Sequence, residues 1–120
     1  MSVHTTLDTC RIFQQLALKN ISFKNELEKW QKTIFFDVQA GKKCCLKINK
    51  GIVEVIVGEC ENPDMTFKGL DGNIVKFITG RDTFTSLEIL GNIEYVGDIS
   101  DRNAFIALIG LFISEIMENF

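Results

Sequence analysis

The chain has 120 residues, of which 46% are apolar and 24% charged, and its formal net charge is −3. That length suits one domain of the usual ~100–150 residues, able to bury about two-thirds of its unfolded surface without staples. The acidic balance, with no local cluster of Lys and Arg, argues against a nucleic-acid partner held by its phosphates, and no apolar run reaches the ~18 residues of a membrane span.

Met1 to Leu7 contain no apolar h-region, so no secretory signal is expected and the protein is placed in the cytoplasm. Cys10, Cys44, Cys45 and Cys60 are then expected as reduced thiols used as small hydrophobes. On a strand Cys44 and Cys45 would point to opposite faces and so cannot ligate one metal together. No C-x-x-C is present and His4 is the single histidine, so no metal site is expected, and no cofactor motif appears.

Leu7, Cys10, Phe13 and Ala17 recur at helical spacing and predict a helix over Thr6 to Asn20, with Thr5 and Asp8 as its capping box. Phe23, Leu27 and Trp30 predict a second helix over Ile21 to Gln31, capped by Ser22. The period then falls to two. Lys32 to Val38, Lys43 to Asn49 and Ile52 to Val57 read as three strands of an antiparallel meander, joined by turns at Ala40-Gly41 and Asn49-Lys50-Gly51. Asn62-Pro63-Asp64 breaks the pattern before a short strand, Met65 to Phe67. Asp71 to Thr79 returns to helical spacing and Gly80 stops it. Leu87 and Ile89 would alternate in a strand, but Thr85-Ser86-Leu87-Glu88 fits a capping box, which favours a helix over Thr85–Leu90. Asn92–Val96 reads as the last strand.

The last helix starts near Asp98 to Asp101, with Ser100 or Asp98 as cap, and runs to about Glu118. Between Ala104 and Met117 only Ser114 and Glu115 are clearly polar. A helix on a sheet needs one apolar stripe, whereas here Phe105, Leu108 and Phe112 share one face and Ile106, Ile109 and Ile113 another. The second face is expected to meet a ligand, a partner chain or a membrane surface, because monomers rarely leave such patches bare.

Phe36-Asp37-Val38 before a Gly turn, Asn62 to Phe67, Ile74 to Gly80, and Gly91-Asn92-Ile93-Glu94-Tyr95-Val96-Gly97-Asp98 together resemble the sterol carrier protein 2 (SCP-2) family of lipid-binding domains. The resemblance spans about Trp30 to Phe112. It implies an α+β fold: a five-stranded, mainly antiparallel sheet, helices covering one face, and an apolar tunnel between them that takes fatty acyl chains, acyl-CoA or sterols and is often closed by the last helix. The chain ends at Phe120 without a peroxisomal tripeptide, so that address does not carry over. Basic residues near the first helix hold an acyl carboxylate in some members; Lys19, Lys24 and Lys29 are available for that role here.

For the tunnel lining the candidates are Phe77, Ile78, Phe84, Leu87, Leu90, Phe105, Ile109, Phe112 and Ile116, since lipid sites are walled by apolar and aromatic side chains. Each is equally readable as core, because periodicity does not separate the two. Lys42, Lys43, Lys47 and Lys50 form a basic hairpin, readable as a solvated strand edge or as a lure for anionic head groups. The aspartates fall at turns and helix starts, and no spaced carboxylate pair or nucleophile–base pair emerges, so no enzymatic activity is expected. The leading expectation is a lipid-binding and lipid-transfer module, with transient membrane contact. The alternatives are a homodimer formed through the last helix and an accessory domain for an enzyme acting on acyl substrates.

Overall fold

A computed structural model of the chain describes residues 5–119, with side chains described as far as residue 116. His4 and the side chain of Met117 therefore lie outside the described residues. The elements in chain order are α1 (Thr6–Lys19), α2 (Ile21–Leu27), β1 (Gln31–Gln39), β2 (Cys44–Asn49), β3 (Ile52–Val57), β4 (Met65–Leu70), α3 (Asp71–Ile78), α4 (Phe84–Ile89), β5 (Ile93–Gly97) and α5 (Ile99–Asn119).

The five strands form one sheet in the order β3-β2-β1-β4-β5. All neighbours run antiparallel except β1 and β4, which pair parallel from Ile34 opposite Met65 to Gln39 opposite Leu70. The sheet is thus mixed; of the basic hairpin, β3 is an edge strand, whereas Lys47 lies on β2, inside the sheet. Lys43 Nζ lies 2.9 Å from Asp37 Oδ1 on the neighbouring strand. Hydrogen bonding to Asp37 raises the Lys43 pKa, and the carboxylate's charge adds to it.

Alternation sorts each strand into two faces. Ile34, Phe36, Val38, Cys44, Leu46, Ile48, Met65 and Phe67 are buried on the face that meets the helices. Across it the Phe67 ring packs against Phe77 of α3, Phe84 of α4 and Phe105 of α5, at centroid distances of 5.1, 6.0 and 5.5 Å. A second ring cluster joins Phe13 of α1, Phe23 of α2 and Phe112 of α5, with centroids 4.9 to 6.0 Å apart. The helices form one layer, and phenylalanines from every helix are its contact surface.

The Thr5–Asp8 capping box forms as its spacing implies. The other caps differ from the sequence reading. Asn20, not Ser22, caps α2 by accepting from the Phe23 N–H at 2.8 Å, and α2 stops at Leu27, since Gln31 already pairs with Asn49 in the sheet. Thr83 rather than Thr85 caps α4, accepting from the Ser86 N–H at 3.1 Å. In both, a polar side chain two residues earlier accepts from one of the free N–H groups of the first turn.

The thiols also depart from expectation. Cys44 and Cys45 do point to opposite faces, but Cys45 is joined to Cys60 in a disulfide, with the two Cα atoms 5.7 Å apart. Cys60 lies in the loop between β3 and β4, which the bond ties to the sheet face opposite the helices. A separation of 15 residues along the chain gave no hint of this approach. Cys10 and Cys44 are free and buried, with sulfurs 3.9 Å apart across α1 and β2. Hydrogen bonding to Cys44, then burial, pushes the Cys10 thiol well above its ordinary range.

Candidate functional site

The helix α5 closes the helical layer, and its start is set by three local contacts. Gly97 takes φ +143°, a conformation that side chains rarely adopt. Asp98 Oδ1 then accepts the N–H groups of Ser100 and Asp101 at 2.7 and 3.1 Å, and the Tyr95 hydroxyl donates to Asp98 O at 2.6 Å. Burial, followed by the charges of Asp101 and Asp98, raises the Tyr95 pKa. The Arg102 guanidinium lies over the rings of Phe84 and Tyr95, 5.1 and 5.9 Å from their centroids. These contacts fix the angle at which α5 leaves the sheet.

Most of the expected site residues are brought together, but in contact with each other rather than around an open space. Phe77, Ile78, Phe84, Leu87, Phe105, Ile109 and Phe112 are buried in one core, and Ile116 packs against it half-buried. Leu90 is 67% exposed and joins none of them. It is the C-cap of α4, a helix of only 6 residues, and Gly91 at φ +75° carries the chain away immediately after it. Phe84 and Leu87 face inward, and the next helical position is never reached.

The outer side of α5 also differs from the expectation of a second greasy face. The large side chains turn inward, with Ile106, Leu111 and Ile113 half-buried at the flanks, whereas Ala104, Ala107, Gly110 and Ser114 are exposed. Hydropathy counts alanine and glycine as apolar without regard to size, so the run overstated the surface needing cover.

One side of α5 nevertheless borders a hollow. Between it and the segment joining α2 to β1 lies an open groove of about 520 Å³. Trp30, Ala104, Ala107, Leu108 and Leu111 form its apolar walls, and Glu26, Lys29, Gln31, Lys32 and Asp101 its rim. The volume falls within the ~300–1,000 Å³ of small-molecule sites. Leu108 and Trp30 connect it to the interior, since the Trp30 ring meets Phe105 edge-on at 6.4 Å. Of the three lysines considered for a carboxylate, Lys29 borders the groove. A smaller hollow of about 230 Å³ is bordered by Gln39, Lys68, Leu70, Asn73, Asn92 and Glu94.

Sequence reasoning missed Trp30, Ala104, Ala107, Leu108 and Leu111 as site residues. A signal existed, because residues 104, 107, 108 and 111 share one helical face, but small side chains do not announce a site, and nothing local placed Trp30 opposite them. No described helix is long and apolar enough to cross a membrane. Among the described residues no group of three or more His, Cys, Asp or Glu is placed to hold a metal ion.

This arrangement, a five-stranded mixed sheet with one helical layer and a long final helix, is the SCP-2 fold. The sterol carrier protein domain 2 of Helicoverpa armigera aligns over 89% of this chain and 87% of its own, with a TM-score of 0.74 and 20% identity. The ubiquinone synthesis protein UbiJ-SCP2 aligns over 88% and 95%, with a TM-score of 0.69 and 22% identity. The inverting sec-alkylsulfatase Pisa1 from Pseudomonas sp. aligns over 72% of this chain but 14% of its own, with a TM-score of 0.60 and 15% identity. No protein-family model and no curated protein sequence matches the chain.

Proposed function

We propose that this chain is a non-catalytic lipid-binding domain whose ligand first seats in the groove between α5 and Trp30. The observation that carries the reading is the groove itself: an apolar trough of about 520 Å³ beside the closing helix of an SCP-2 fold. Burying an acyl or isoprenoid chain at ~0.8 kcal/mol per CH₂ supplies gross affinity without directed hydrogen bonds. Discrimination between chains differing by one methylene would be only ~1–3 kcal/mol, so selectivity for length would be loose. In this reading α5 is the closing element. Its inner residues Phe105, Ile109, Phe112 and Ile116, with Phe77, Ile78, Phe84 and Leu87 facing them, become ligand contacts only when α5 lifts from the sheet.

The test uses delipidated protein and a fluorescent fatty-acyl methyl ester. Uptake by the monomer is expected, with a change in the emission of Trp30, the chain's single tryptophan. Ala107→Trp, at an exposed position on the groove wall, is expected to block uptake and leave the unfolding transition in place. Absence of uptake by wild-type protein, or undiminished uptake by the variant, would sink the groove as the lipid seat.

The Pisa1 alignment supports a second reading, in which the chain serves as an accessory lipid-handling domain beside a catalytic partner. Native mass spectrometry from the host separates the two, since it reports bound lipid and bound protein together.

A further inference from the structure

The rim of the groove carries charges that cancel in pairs. Lys29 Nζ lies 3.6 Å from Glu26 Oε1, and Lys32 Nζ lies 3.3 Å from Asp101 Oδ2; all four side chains border the groove. A site for an ionised carboxylate or phosphate ordinarily offers an uncompensated cation or the free N–H groups of a helix start. Neither is offered here. Each lysine has a carboxylate beside it, so an anionic head approaching one meets like charge within the same few ångströms. The start of α5, which also faces this end of the groove through Asp101, is capped by Asp98, whose Oδ1 already accepts from Ser100 and Asp101.

We infer that the groove selects lipids with an uncharged polar head, such as an alcohol or an ester, over ionised fatty acids and lipid phosphates. The inference rests on the groove being the lipid seat and assigns its ligand class. The Gln31 amide on the same rim suits such a head, because it both donates to and accepts from a hydroxyl or carbonyl. The lysines balance the rim carboxylates and do not bind the ligand's charge. The apolar walls then supply the affinity, and the rim excludes.

Trp30 fluorescence titrations at pH 8 with dodecanol, methyl dodecanoate and dodecanoate test this, since the three share a twelve-carbon acyl or alkyl chain and the acid is fully ionised there. Alcohol and ester are expected to bind at least about tenfold more tightly than the carboxylate. Any apolar groove disfavours an ionised head to some degree, so the decisive readout is the ratio in Glu26→Gln/Asp101→Asn, where the lysines are unmasked. There the preference is expected to fall at least about threefold through tighter binding of dodecanoate. Glu26→Gln alone, at a half-buried position of α2, is expected to show part of the same change should the double variant fold poorly. Equal or tighter binding of dodecanoate by wild-type protein, or an unchanged ratio in the variants, overturns the inference while leaving the lipid seat standing. Failure of all three compounds to bind overturns both.

Discussion

Asp71 shows how one side chain can join distant parts of this chain. Its Oδ1 accepts both the backbone N–H and the hydroxyl of Thr6, at 2.7 and 2.6 Å, across 65 residues of sequence. Thr6 is fully buried, so Asp71→Ala would leave its donors without a partner and is expected to cost about 1–3 kcal/mol. Chemical denaturation measures this, and adding Thr6→Val should recover part of the loss, because a methyl group has no hydrogen bond to miss. Gly80 matters for a different reason. It holds φ +74°, and a Cβ there would stand 2.6 Å from Ile113 Cδ1 on α5. Gly80→Ala is therefore expected to lower the melting temperature through backbone strain and a forced shift of the Ile113 side chain, unlike Gly72→Ala, whose added Cβ meets nothing within 4 Å.

Among the elements, the β3–β4 loop depends most on a single bond. The Cys45–Cys60 disulfide closes a loop of 15 residues, for which chain entropy predicts about 3 kcal/mol of stabilisation. Cys60→Ser is expected to lose roughly that amount, and a reductant should lower the midpoint of wild-type protein but not of the variant. Thiol titration without reductant gives a separate check: no reaction while folded, because Cys10 and Cys44 are buried, and two thiols once unfolded. The helix α5 is held along its middle by two ring contacts, Phe105 to Phe67 at 5.5 Å and Phe112 to Phe13 at 5.1 Å. Phe112→Ala is expected to cost ~3–5 kcal/mol by leaving a cavity between α1, α2 and α5. Its effect on lipid uptake is informative too. Faster uptake with lower stability is the outcome expected if α5 must lift for a ligand to pass beneath it.

At the scale of the molecule, ligand binding and folding are linked. A lipid that binds only the folded chain stabilises it by RT ln(1 + [L]/Kd), about 2.7 kcal/mol at a hundredfold excess over Kd. A neutral lipid should raise the melting temperature of wild-type protein and leave Ala107→Trp unmoved, which ties the shift to the groove and not to nonspecific association.

Much of this architecture was legible from residue order. The switch from helical to alternating spacing near residue 32, the Gly turns, and the capping box at Thr5 and Asp8 are local, and local geometry enforces them. The starts of α2 and α4 fell at or within one residue of their expected places, but the capping side chains were Asn20 and Thr83 instead of Ser22 and Thr85. The candidate site was less legible. Phe105, Ile109 and Phe112 were marked by their size, and the same size drew them into ring clusters in the core. The groove residues Ala104, Ala107 and Leu111 are inconspicuous, and their partner Trp30 lies more than seventy positions away.

By itself, then, the order of side chains determined the elements, the inward face of each and the hydrophobic weight of the final helix, because helical and strand periodicities act over a few residues. Only the tertiary structure decided that β4 lies parallel to β1, that Cys45 meets Cys60, and that an apolar hollow opens beside α5 between paired rim charges. Those outcomes depend on how whole elements dock, and docking is set by the sum of many distant contacts that no local spacing records.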